Sequence, residues 1–335
     1  MTLGAAAQIS AQRLSVVLRG PVPRLRRCLI RLTIVPMIEA RPRLRDEQGT
    51  TTMPMVEKSF LGLSTHGFHR VAYFEWGDPA NGRVVVCVHG LTRRGRDFDI
   101  LAQALEDSYR VVCVDLPGRG ISDWLPIATD YQPSTYVQNM TALIARLGVE
   151  QVDWIGVSLG GIIGMTLAMM PKSPIRRLVL DDVGGYIGKE ALERIASYVG
   201  KDPTFADIGA LERYMREVNA PYGPLTDAQW AHVARYGARQ DPATGLWHQH
   251  YDPRLAEPFK DGFSEPVALW PLWDGVRQPV LVLRGTDSDV LTTETLAEMR
   301  KRKPEAKVIE FEGVGHAPMI MSADQIGPVR EFLLG

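Results

Sequence analysis

The chain has 335 residues, 45% of them hydrophobic and 23% charged, with a formal net charge of -1. This is an ordinary composition for a globular protein, and it lacks the basic excess that a nucleic-acid partner would require. Three cysteines do not make a disulfide framework, and no apolar run reaches the roughly 18 residues needed to span a bilayer, so a reducing, cytoplasmic setting is expected.

The first fifty residues are rich in arginine, from Arg13 to Arg45, against only Glu39, Asp46 and Glu47. Residues 1–55 are expected to be a disordered leader outside the fold, or translated upstream sequence with the start at Met53 or Met55; a transit peptide is the other reading. Regular patterning begins at residue 56. Val56 to Ser64 and His69 to Gly77 read as two strands joined at His66-Gly67. Arg83 to Val88 and Tyr109 to Val114 are continuous apolar runs, as expected of strands covered on both faces. Between them Asp97 to Glu106 places Phe98, Leu101, Ala102 and Leu105 on one helical face. Thr135 to Leu147 is a second amphipathic helix, stopped by Gly148. Further strands are expected at 151–155, 176–180, 279–283 and 307–311, and a closing helix at 325–334. Alternation of this kind implies a mostly parallel sheet with helices on both faces and an antiparallel edge supplied by the first hairpin. Residues 186–273 break the alternation. They hold helical stretches and many aromatics but no convincing buried strand, and read as a helical insertion roofing the carboxyl ends of the strands.

One pentapeptide concentrates the chemistry. Gly156-Val157-Ser158-Leu159-Gly160 lies between an apolar strand and an apolar helix. A serine there, with glycines two residues to either side, has the pattern of a nucleophile elbow, because the turn leaves no room for a Cβ at the flanking positions. A serine hydroxyl needs a base to take its proton and an acid to orient that base, and on a strand–turn–helix elbow of this kind the chain order is Ser, then Asp or Glu, then His. Of the histidines after Ser158, His316 lies in a glycine-flanked loop between the last strand and the last helix, where a base must sit. His232, His248 and His250 fall in the insertion; His248 and His250 could suggest a metal, but no third ligand clusters with these two, so no metal is expected. For the acid, Asp289 is the first candidate and Asp287 the alternative, both in the loop after strand 279–283. Asp181 and Asp182, at the end of the preceding strand, are possible by position. The oxyanion donors are expected to be the backbone N–H groups of Leu159 and Leu91, with His89 a brace beside them. Arg93, Arg94 and Arg96 read as solvated charge, with recognition of a substrate carboxylate as the rival reading.

Val88-His89-Gly90-Leu91, Asp115 to Asp123, the elbow, Leu283-Arg284-Gly285 with Ser288-Asp289, and Gly315-His316-Ala317-Pro318 occur in that order. Together they resemble the α/β-hydrolase superfamily over residues 56–335. The resemblance implies an α/β-hydrolase fold with an eight-stranded sheet, a core of residues 56–185 and 274–335, and a cap of residues 186–273. It departs from many relatives at Thr92, where they carry proline. It implies that Ser158, His316 and an acid at Asp289 act through an acyl-enzyme on a small-molecule carboxylic ester, with no cofactor. A lactone, a thioester or the carbon–carbon bond of an activated diketone is the alternative on the same residues. A ligand-binding module without turnover is the alternative of another class.

Overall fold

The computed structural model describes Leu44–Arg45, Thr51–Thr52 and residues 54–335 apart from 261, 263 and 264. Apart from a short antiparallel pairing of Leu44–Arg45 with Thr51–Thr52 and residues 54–55, the expected leader lies outside the described residues.

Eight strands form one sheet: β1 (Val56–Ser64), β2 (Gly67–Trp76), β3 (Val84–Val88), β4 (Arg110–Val114), β5 (Val152–Val157), β6 (Ile175–Asp181), β7 (Val280–Gly285) and β8 (Lys307–Phe311). Their order across the sheet is β8-β7-β6-β5-β3-β4-β2-β1. The pairings from β8 to β4 are parallel, and the β1–β2 hairpin adds to β4 antiparallel. The parallel strands are apolar on both faces because both faces are covered. In β3 the alternation sorts the side chains: Val84, Val86 and Val88 join one core, Val85 and Cys87 the other. The first core receives Met140, Leu143 and Leu147 of helix α2 (Pro133–Leu147) and Ile163 and Leu167 of α3 (Leu159–Ala168). The second receives Leu101 and Leu105 of α1 (Asp99–Leu105) and Val329 and Phe332 of the C-terminal helix (Ala323–Leu334). Helix α2 ends where Gly148 adopts φ 70°, a left-handed conformation that glycine takes without strain.

Between β6 and β7 the chain leaves the sheet. It forms α4 (Lys189–Tyr198), α5 (Ile208–Val218), α6 (Asp227–Gly237) and the short α7 (Trp270–Gly275). Two small antiparallel pairs accompany them, Ala238–Gln240 with Trp247–Gln249 and Tyr186–Ile187 with Val267–Ala268. Strands of two or three residues are too short to show a period in the sequence. The second pair matters architecturally, because it fastens the outgoing and returning chain together at the base of this segment. The segment has apolar cores of its own, such as Leu211, Met215 and Ala234. After β7 come α8 (Thr293–Arg302), then β8 and the C-terminal helix α9 (Ala323–Leu334). Among the described residues no helix is long and apolar enough to cross a membrane.

Candidate active site

The site is assembled at the carboxyl ends of β3, β5, β6 and β7. Ser158 follows β5 directly and opens α3 with φ 50° and ψ -111°, a conformation that side-chain-bearing residues rarely adopt. The flanking glycines make this possible. A Cβ on Gly156 would overlap the Gly160 carbonyl, and one on Gly160 would overlap the Val88 carbonyl of β3. The Ser158 amide is anchored to the Asp181 carbonyl at 2.9 Å, so the turn is tied to β6.

His316 faces Ser158. Its Nε2 lies 3.0 Å from Ser158 Oγ and its Nδ1 lies 2.7 Å from Asp182 Oδ2. With a carboxylate on Nδ1, the ring proton sits there, and Nε2 is left to accept from the serine hydroxyl. Asp182 is fully buried and sits just past β6 with φ 54°. Its Oδ2 also accepts from Ser288 Oγ at 2.5 Å, and its Oδ1 accepts from the Gly285 amide at 3.2 Å. Three donors therefore converge on one buried carboxylate.

The acid expected from the sequence is elsewhere. Asp289 is exposed and forms a two-point ion pair with Arg194 of α4, whose Nη2 donates to Oδ1 at 2.8 Å. Asp287 is also exposed and takes a hydrogen bond from the Thr286 hydroxyl. Neither touches His316. The loop after β7 contributes Ser288, which supports the acid rather than replacing it. Ser288 Oγ accepts from the Val290 and Leu291 amides, so its own proton is directed at Asp182. The Asp181 side chain makes no hydrogen bond to this network. Both its carboxylate oxygens are buried without a hydrogen-bond partner among the described residues. Burial, and then the charge of Asp182, push its carboxyl well above the ordinary range.

The Gly90–Leu91 peptide is oriented from its carbonyl side. The Arg93 amide donates to Gly90 O at 3.2 Å, and His89 Nδ1 donates to the same oxygen at 2.7 Å. His89 Nε2 accepts from the Leu116 amide at 3.0 Å, which fixes the proton on Nδ1. Burial first, and then the nearby Arg119, hold the His89 imidazole well below its usual pKa, so it stays neutral. The carbonyl being held on one side, the Leu91 N–H is directed to the other. Gly90 approaches Ser158 closely enough that a Cβ there would lie 3.6 Å from the serine Cβ. Buried Arg119 secures the next link, donating from Nε to Leu91 O at 2.7 Å and from Nη1 to the Tyr136 hydroxyl at 2.8 Å. Leu159 is the first residue of α3, and its N–H has no intrahelical acceptor.

The three arginines after this loop are not solvated charge. Arg93 forms two hydrogen bonds with Asp97, at 2.7 and 2.8 Å, with both side chains largely buried. Arg94 is buried, contacts Asp115 at 3.6 Å, and donates to the Tyr236 carbonyl and to His250 Nδ1 at 2.8 Å. Arg96 pairs with Asp99 and lies 3.8 Å over the Tyr236 ring. Arg94 and Arg96 thus join the core to the segment between β6 and β7. Burial and the Arg94 charge push His250 down to about 4. His248 instead pairs with Asp202 at 3.0 Å.

Above Ser158 is a partly open cleft. Leu91, Phe98 and Met319 line it from the core, and Ile195, Tyr198 and Tyr222 from the inserted segment. A strained serine turn between strand and helix, beneath a largely apolar cleft and facing an Asp-braced histidine, is matched along the chain. A family model described as Alpha/beta hydrolase family matches residues 85–326. The chain belongs to the α/β-hydrolase family. The hydrolase is 46% identical over 282 residues to a 3-hydroxybutyrate-oligomer hydrolase of Cupriavidus necator, covering 82% of this chain and 96% of the relative. It is 27% identical over 240 residues to a 2-(acetamidomethylene)succinate hydrolase of Mesorhizobium japonicum, covering 71% of this chain and 83% of that one. Among solved structures it resembles an α/β hydrolase from Novosphingobium aromaticivorans, with a TM-score of 0.75, 34% identity, and coverage of 84% of this chain and 98% of that chain.

Proposed function

We propose that this hydrolase cleaves carboxylic esters through an acyl-enzyme formed on Ser158. The observation that carries this reading is the continuous relay from Ser158 Oγ through His316 to buried Asp182. In the first step His316 Nε2 takes the hydroxyl proton as Ser158 Oγ attacks the ester carbonyl. The negative charge that develops on the carbonyl oxygen is met by the Leu91 and Leu159 N–H groups, which need no reorganisation to receive it. Asp182 stabilises the imidazolium. The imidazolium then returns the proton to the departing alcohol, leaving an ester on Ser158. Water, deprotonated by the same imidazole, releases the acid and restores the serine.

The substrate we infer is a short linear ester of small hydroxy acids. It is supported by the 3-hydroxybutyrate-oligomer hydrolase resemblance and by a cleft whose apolar walls suit short alkyl groups. Residues 186–273 would act as a cap that shapes the cleft. A fluorophosphonate probe tests the nucleophile. Wild type is expected to be labelled at Ser158 and Ser158→Ala not, with p-nitrophenyl butyrate hydrolysed only by the former. Folded wild type that neither labels nor turns over this ester would refute the reading. Efficient cleavage of diketone acids with poor ester turnover would redirect it to carbon–carbon bonds.

A further inference from the structure

Apart from histidine, three charged side chains line the cleft among the described residues: Arg93, Asp97 and Arg194. The first two cancel. Arg93 is held by Asp97 through two hydrogen bonds, and their side chains are only 11% and 9% exposed. Arg194 differs. It projects from α4 into the cleft lining, while its partner Asp289 stands on the rim loop and is not part of that lining. The two side chains are 38% and 44% exposed. A pair this solvated is worth at most about 1 kcal/mol, so Asp289 is readily displaced. Asp289 occupies the guanidinium Nε–Nη2 edge in the forked geometry that any carboxylate would use.

We propose that Arg194 is a specificity residue that binds a free carboxylate on the substrate, with Asp289 as the internal carboxylate that holds the site when it is empty. The substrate would then be an ester that ends in a carboxylic acid, bound with its acid end beneath α4 and its ester carbonyl at Ser158. This rests on the ester-hydrolase reading above and adds which esters are preferred. It also gives Asp289 a role outside the relay.

The test compares two substrates, the dimeric ester of 3-hydroxybutyrate as the free acid and the same dimer with its carboxyl end converted to the primary amide. The readout is the ratio of their kcat/KM values. Wild type is expected to favour the acid, and Arg194→Gln to lower that ratio roughly ten- to a hundred-fold, mainly through KM, as for loss of a charge-assisted fork. Arg194→Lys should restore part of the preference, and Asp289→Asn should lower KM for the acid by removing its competitor. Equal loss on both substrates in Arg194→Gln would overturn the proposal and make Arg194 a packing residue. Wild type indifferent to acid and amide would overturn it as well. If neither dimer is cleaved, inhibition of p-nitrophenyl butyrate hydrolysis by the acid but not the amide, lost in Arg194→Gln, supports the proposal; no such difference overturns it. Failure of Ser158 labelling and of p-nitrophenyl butyrate turnover sinks the ester reading itself. Normal labelling with an unchanged ratio sinks this inference alone.

Discussion

Replacing Asp182 by asparagine is the sharpest perturbation of the relay. The carboxylate receives His316 Nδ1 at 2.7 Å, Ser288 Oγ at 2.5 Å and the Gly285 amide at 3.2 Å, with no exposed surface. All three are donors, and a carboxamide offers one oxygen and one NH2 group, so either orientation sets a donor against a donor. With the NH2 toward His316, the imidazole must present Nδ1 as an acceptor. Its proton then moves to Nε2, which can no longer accept from Ser158. With the NH2 toward Gly285, the His316 bond survives but the charge that stabilises the imidazolium is gone. The expected loss in kcat is about 10³- to 10⁴-fold, or about 4–5 kcal/mol of transition-state stabilisation. Asp289→Asn, by contrast, breaks a solvated pair and should change kcat on p-nitrophenyl butyrate by no more than about three-fold. The assay is steady-state kcat on that ester, corrected for folded protein by circular dichroism. A thousand-fold loss in Asp289→Asn with activity retained in Asp182→Asn would refute the assignment.

Ser288→Ala removes the hydroxyl bond to Asp182 and leaves the Val290 and Leu291 amides without their acceptor. It should lower stability by about 1–3 kcal/mol in a urea melt and reduce kcat by roughly ten-fold. Gly160→Ala would drive a Cβ into the Val88 carbonyl and should destabilise by about 3 kcal/mol or more. His250 supplies the pH prediction. Its pKa is depressed from 6.5 to about 4, so it contributes stability that is present above pH 6.5 and lost as pH falls toward 4. Between pH 7 and pH 5 that loss is about 2 kcal/mol, and His250→Gln should remove it from the pH dependence of urea unfolding. An unchanged slope in the variant would show that His250 is not the group responsible.

The order of strands and helices was legible because a parallel sheet covered on both faces demands unbroken apolar runs, and β3, β4 and β7 show them plainly. Helix α8 was not, because its interior contact is limited to Thr295, Leu296 and Met299 on an otherwise charged stretch. Ser158 and His316 stood out because glycine spacing and loop position restrict where such residues can be. The structure brings these two together. The partner of His316 was harder, since the loops after β6 and β7 both carry aspartates at the same edge of the sheet. Which side chain turns inward is decided by the left-handed backbone at Asp182, and sequence pattern does not reveal that at a non-glycine residue. The burial of Arg94 was equally hidden. Its partners Asp115, Tyr236 and His250 come from distant stretches of chain, so only the folded arrangement turns a run of arginines into a tether.

The pairing of Tyr186–Ile187 with Val267–Ala268 has a consequence for how such a protein can diversify. Partners in an antiparallel pair lie about 5 Å apart, so roughly eighty residues begin and end at nearly the same point in space. A graft of different length or sequence, joined at that neck, leaves β6 and β7 in register and Asp182 on its turn. The tethers at Arg94 and Arg96 would then be what a graft must reproduce to sit correctly. With the segment acting as the cap proposed above, ancestry can rewrite which molecules are admitted without touching the bond-breaking apparatus, and chimaeras exchanged at this neck should inherit turnover from one parent and selectivity from the other.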